Sequence, residues 1–116
     1  AVTGVQTCAL PILSDYRLKE QFDTPTSTLS RISEIPMYTF HYKNSLYSKS
    51  RNRQLGIIAH ELQELFPEYP DLVTGEKDGE EFQFLNYQQL TMVLLKSIQE
   101  LNEEIQSIKQ SLAGLV

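Results

Sequence analysis

The spacing of apolar residues changes along the chain, and each spacing predicts an element. Ser14 to Phe22 is polar, with Leu18 and Phe22 four apart, which allows an extended segment or a short helical turn. Thr24-Pro25-Thr26-Ser27 offers helix-start chemistry. Leu29, Ile32 and Ile35 then recur near helical spacing, and Pro36 stops the run. Met37 to Tyr42 alternates and is rich in aromatics, so it predicts a strand, and Gln54 to Ile58 predicts a short apolar one. Ala59, Leu62, Leu65 and Phe66 share one face of a helix that Pro67 ends. Pro70 to Glu81 reads as a loop with turn signals at Gly75 and Asp78-Gly79, and Glu81 to Leu85 as a third short strand.

Asn86 is placed to cap a long helix running to about Leu112. Leu94, Ile98, Leu101, Ile105, Ile108, Leu112 and Leu115 are spaced 4, 3, 4, 3, 4, 3. That is a heptad register with Ile98, Ile105 and Leu112 at a and Leu101, Ile108 and Leu115 at d. Ile and Leu are mixed at both positions, which does not favour a strict dimer and admits a trimer. The wider apolar band Met92-Val93-Leu94-Leu95 is expected to pack on the globular part, and the narrow stripe from Ile98 onward to form a seam between chains. An amphipathic helix packed on its own domain is the alternative. The fold class is α+β: a small antiparallel sheet, short helices and a long C-terminal helix forming a trimeric coiled coil.

Residues 1–13 carry no charge and neither helical nor strand periodicity. They lack the basic start and continuous apolar core of a signal peptide. Val2 to Ile12 match the translation of a common sequencing-adapter oligonucleotide, so residues 1–13 are set aside as an adapter-derived, disordered segment. On that reading Cys8, the one cysteine, is not native, and the natural protein is expected to continue upstream. The remaining chain divides into 14–92 as the globular domain and 93–116 as the coiled-coil helix.

Length and charge exclude several functions. One domain fits in 116 residues, and a chain this size gains stability from partner chains. The net charge of −5 and the scattered basic residues argue against nucleic-acid binding; the densest group, Lys49, Arg51 and Arg53, reads as a solvated loop. No apolar run reaches the roughly 20 residues needed to cross a membrane.

The candidate chemistry is sparse. His60-Glu61 resembles the start of a zinc-protease His-Glu-x-x-His, but Glu64 occupies the position of the second His, so neither a metal nor a cofactor is expected. A Ser hydroxyl becomes a nucleophile only when a base removes its proton, and a buried Lys can be that base. Ser14 and Lys19, five apart, are such a pair, although the spacing alone is no signal.

Four segments give that pair a context. They are Ser14-Asp15-x-Arg17-Leu18-Lys19-Glu20, Gly56 through Glu68, Val73 through Asp78, and Asn86-Tyr87 opening the terminal helix. Their order and spacing resemble the intramolecular chaperone auto-processing, or peptidase S74, domain. That domain lies at the C-terminus of bacteriophage tailspikes, tail fibres and endosialidases, and a related one occurs in myelin-regulatory-factor-type transcription factors. His60 stands where the family more often has Gln.

The resemblance implies a self-cleaving chaperone acting in the host cytoplasm during phage assembly. Its partners would be two further copies of itself and the upstream fibre region of its own precursor. Ser14 would be the nucleophile on the carbonyl before it and Lys19 the general base. Asp15, Arg17, Gly56, His60 and Glu61 are candidates to line the site, and Leu94, Ile98, Leu101, Ile105, Ile108 and Leu112 to form the interface. For the lining residues, simpler roles stand beside these: a surface ion pair, a close backbone approach, a helix-dipole acid. The alternative function is a trimerisation and interaction module that does not cut.

Overall fold

The computed structural model describes residues 12–43 and 51–115. The adapter-like segment up to residue 11, including Cys8, and the loop residue Lys49 lie outside the described residues. The elements are α1 (Leu29–Ile32), β1 (Tyr38–Phe40), β2 (Gln54–Gly56), α2 (Ala59–Leu65), β3 (Val73–Thr74), β4 (Phe84–Leu85) and α3 (Tyr87–Ala113), with 3-10 turns at Tyr16–Leu18 and Pro70–Leu72. The architecture is α+β, ending in the long helix.

The single small sheet expected from the sequence is instead two separate two-stranded antiparallel sheets. In the first, Tyr38 faces Gly56, Thr39 faces Leu55 and Phe40 faces Gln54. In the second, Val73 faces Leu85 and Thr74 faces Phe84. The strand β3 lies inside what the sequence predicts as loop. A two-residue strand is too short to show alternation, and it forms because β4 returns to it across a turn. Gly75 sits at φ +79° and Asp78 at φ +60°, and the Gly79 amide closes on the Glu76 carbonyl at 3.0 Å. Gly and Asp are among the residues that tolerate the left-handed region.

The core is small: Leu62, Phe66, Leu72, Val73 and Val93 are buried, with Ile32, Ile35, Ile57, Leu65, Leu85 and Leu90 packed against them. Leu62 lies on α2 and Phe66 is its C-cap residue, four positions on, and both point into the core. Asn86 caps α3 by accepting from the Gln88 and Gln89 amides, and its own amide donates to the Leu72 carbonyl at 2.8 Å. The helix is thereby fixed to the core at its first turn.

At 1.5 Å per residue, α3 is about 40 Å long. It carries two distinct stripes. Leu90, Val93, Ser97 and Glu100 turn inward, whereas Leu94, Ile98, Leu101, Ile105, Ile108 and Leu112 are all exposed in the single chain. At 100° per residue the two stripes are centred about 80° apart. From the band Met92–Leu95 only Val93 is buried; Met92, Leu94 and Leu95 face out, which corrects the expectation that the whole band packs inward. The reason is geometric: consecutive residues on a helix cannot share one face. Residues 101–115 are exposed throughout.

Candidate functional site: the Ser14–Lys19 turn and its anchor

Ser14 and Lys19 flank a single 3-10 turn. Asp15 caps it, its carboxylate accepting from the Arg17 amide at 2.9 Å, while the Leu18 and Lys19 amides donate to the Asp15 and Tyr16 carbonyls. The turn folds the chain back, so the Lys19 ammonium Nζ donates to Ser14 Oγ at 2.7 Å. Both residues are exposed in the single chain. A hydroxyl in contact with an amine is the elementary arrangement for base-assisted nucleophilic attack.

Asp15 and Arg17 pair with each other. Arg17 donates from Nε at 3.1 Å and from Nη2 at 2.8 Å, a bidentate arrangement on one carboxylate. The Arg17 hydrogen bonds hold the Asp15 carboxyl below its ordinary range, and Asp15 raises Arg17 in return. Both lie at the surface, so the pair contributes little to stability, but it braces the turn between Ser14 and Lys19.

The other candidates occupy a different part of the domain. A Cβ on Gly56 would lie 2.9 Å from Phe40 Cε1, so this glycine lets the Phe40 ring lie against the backbone of β2. His60 borders an open cleft of about 410 Å³ with Glu76, Lys77, Asp78, Gly79, Glu81, Phe82 and Gln83. Glu61 accepts from the Tyr38 hydroxyl at 3.1 Å, and this hydrogen bond raises the tyrosine above its ordinary range. The second Glu61 oxygen, Oε1, is buried with no hydrogen-bond partner among the described residues. Among those residues, no hydrogen bond or ion pair joins the Ser14–Lys19 turn to Gly56, His60 or Glu61.

What the sequence did not disclose is the polar cluster that anchors the end of the N-terminal arm. Thr28 is the N-cap of α1 yet makes no capping bond with its own side chain. The cap comes from Glu100 on α3, which accepts from the Thr28 amide at 2.8 Å, the Ser27 hydroxyl at 2.6 Å and the Leu29 amide at 3.4 Å. The Ser27 hydroxyl, then the Thr28 amide, lower the Glu100 carboxyl from its ordinary range. The freed Thr28 hydroxyl is buried 2.7 Å from that of Ser97, which donates to the Val93 carbonyl at 3.0 Å.

On the other side Arg31 donates to Glu68 at 2.8 Å and to the Leu65 carbonyl at 3.0 Å, with its guanidinium 4.4 Å above the centre of the Phe66 ring. Arg31, then the Thr26 hydroxyl at 2.7 Å, push the Glu68 carboxyl down to about 2. No sequence periodicity signals these contacts, because the partners are 34 to 73 positions apart.

Comparison with known proteins places this geometry in a family context. The family model described as chaperone of endosialidase, peptidase S74, matches residues 14–71 and so begins at Ser14. The chain is 32% identical over 103 residues to the long tail fiber protein Gp37 of Enterobacteria phage M1, covering 87% of this chain and 40% of that protein. It is also 32% identical over 100 residues to the long tail fiber protein Gp37 of Enterobacteria phage Ox2, covering 84% and 39%. The chain therefore spans about 40% of the length of these curated relatives.

Proposed function

Because the chain belongs to the peptidase S74, chaperone of endosialidase, family, we propose that it is the C-terminal chaperone of a phage tail fibre, trimerising the fibre and then cutting itself off before Ser14. The observation that carries the catalytic part is the 2.7 Å contact between Lys19 Nζ and Ser14 Oγ.

In this mechanism a neutral Lys19 takes the Ser14 hydroxyl proton as Oγ attacks the carbonyl carbon of residue 13. The bond from that carbon to the Ser14 nitrogen breaks, and Lys19 returns the proton to the departing amine. The product is an ester on Ser14 Oγ, with Ser14 now carrying a free α-amine. Water then attacks the ester carbonyl, releasing the upstream chain as a carboxylic acid and restoring the Ser14 hydroxyl. The Asp15–Arg17 pair holds the turn in which these steps occur.

A lysine acts as base near neutral pH when it is shielded from water. The turn is exposed in the single chain, which fits a site that neighbouring chains complete. The exposed heptad face Leu94, Ile98, Leu101, Ile105, Ile108 and Leu112 supplies the means of bringing those chains together. Cleavage then follows assembly in the host cytoplasm, and removal of the chaperone leaves a fibre whose folding nucleus is gone, which is kinetic stability.

The test is a precursor in which a fibre segment directly precedes Ser14. Wild type yields a fragment beginning at Ser14 by intact mass, whereas Ser14→Ala and Lys19→Met sediment as trimers and stay whole. A wild-type precursor that trimerises and stays intact sinks self-cleavage and leaves the non-cutting trimerisation module.

A further inference from the structure

The arm that bears Ser14 and Lys19 is exposed from residue 12 to residue 27. Among the described residues its hydrogen bonds to the body of the domain begin at Thr26 and Ser27. Thr26 meets Glu68 and Tyr69, and Ser27 meets Glu100. The arm is therefore tethered to the body where it joins α1, and the α1 N-terminus is capped by a carboxylate on another helix. Donors of two consecutive backbone amides and one hydroxyl converge on Glu100. An acceptor so placed fixes a direction as well as a position, since both amides must point at it.

Glu100 lies between two seam residues, two positions after Ile98 and one before Leu101, both exposed. A helix is rigid over so short a distance, so any rotation that seats Ile98 and Leu101 against neighbouring chains also aims the Glu100 carboxylate. We propose that Glu100 is a positioning residue for self-cleavage, holding the arm in the orientation that delivers the Ser14–Lys19 turn to its site once α3 is assembled. This rests on the self-cleavage reading above and adds the element that couples assembly to the cut.

The experiment follows release of the Ser14-initiated fragment from the fibre-bearing precursor of wild type, Glu100→Gln and Glu100→Ala, with oligomer mass measured on each. Gln keeps one acceptor oxygen for the Thr28 amide and cannot accept from Ser27 and Leu29 with its amide group. Both variants are expected to remain assembled. Release is expected to slow roughly tenfold to a hundredfold in the Ala variant, the range for a displaced reacting group, with the Gln variant between. In hydrogen exchange, the Thr28 and Leu29 amides lose protection in the Ala variant while the α3 amides keep theirs. Equal release rates in all three, or a loss of release that only tracks a loss of assembly, overturns the positioning role. A wild type that assembles without cutting overturns the parent reading instead and removes the role with it.

Discussion

The Thr28 and Ser97 hydroxyls stand 2.7 Å apart in the interior, although the two residues are 69 positions apart in the chain. They are 1% and 4% exposed, so neither can exchange its partner for water. Thr28→Val and Ser97→Ala are each expected to destabilise the fold by about 0.5–1.5 kcal/mol, the cost of losing one buried hydrogen bond while each remaining hydroxyl keeps the Val93 carbonyl. The double variant should cost less than the sum, because the shared hydrogen bond is lost only once. Chemical denaturation of the four proteins measures this coupling; strict additivity would contradict the contact.

A second prediction concerns acid. Arg31 and Thr26 hold the Glu68 carboxyl at about 2, against an ordinary 4.5. The folded state therefore takes up that proton at lower pH than the unfolded chain. The stability this contributes is complete above about pH 4.5 and is lost as pH falls through that value towards 2. Asp15 and Glu100, also lowered, add to it with the same sign. Melting temperature followed from pH 6 to about 2.5 should decline less steeply in Glu68→Gln than in wild type, and parallel curves would remove Glu68 from the explanation.

The two stripes of α3 predict opposite outcomes for one type of substitution. Leu101→Asp with Ile105→Asp puts charge on exposed positions and is expected to abolish the proposed assembly while leaving the body folded. Val93→Asp puts charge at a 6%-exposed position and is expected to unfold the body. Sedimentation and far-ultraviolet circular dichroism distinguish the two; dissociation without change in oligomer mass for the seam variant is impossible, so an unchanged mass would exclude the seam.

Gly56 supplies a test of close packing. Gly56→Ala drives a methyl to 2.9 Å from the Phe40 ring, and overpacking of this kind costs roughly 1–3 kcal/mol. Adding Phe40→Leu should recover part of that loss in the denaturation midpoint. If Gly56→Ala is neutral, the ring moves freely and the glycine is needed for something other than packing.

The long helix, its Asn86 cap and α2 were legible because each rests on local chemistry: a 3.6 period, a side-chain acceptor, a stopping proline. The division into two sheets was not, since strand pairing is a long-range choice and β3 has only Val73 and Thr74 with which to announce itself. The group that caps α1 is hidden from the sequence for a similar reason. Thr24 to Ser27 looks like a cap, yet the cap is Glu100, whose role depends on a fold already formed. The Ser14–Lys19 contact was within reach because a single turn makes it. Glu68, Glu100 and Arg31 looked like ordinary surface charges, as most charges in a short sequence do.

Glu100 is the most C-terminal α3 residue that hydrogen-bonds to the body of the domain among the described residues. Beyond it the helix runs on to Ala113 without a break, exposed on every side in the single chain. The tail is thus a socket of fixed phase. A foreign zipper spliced after Glu100 in the same helical phase would inherit the alignment of the body, so the tail could be exchanged without disturbing the contacts that Glu100 makes.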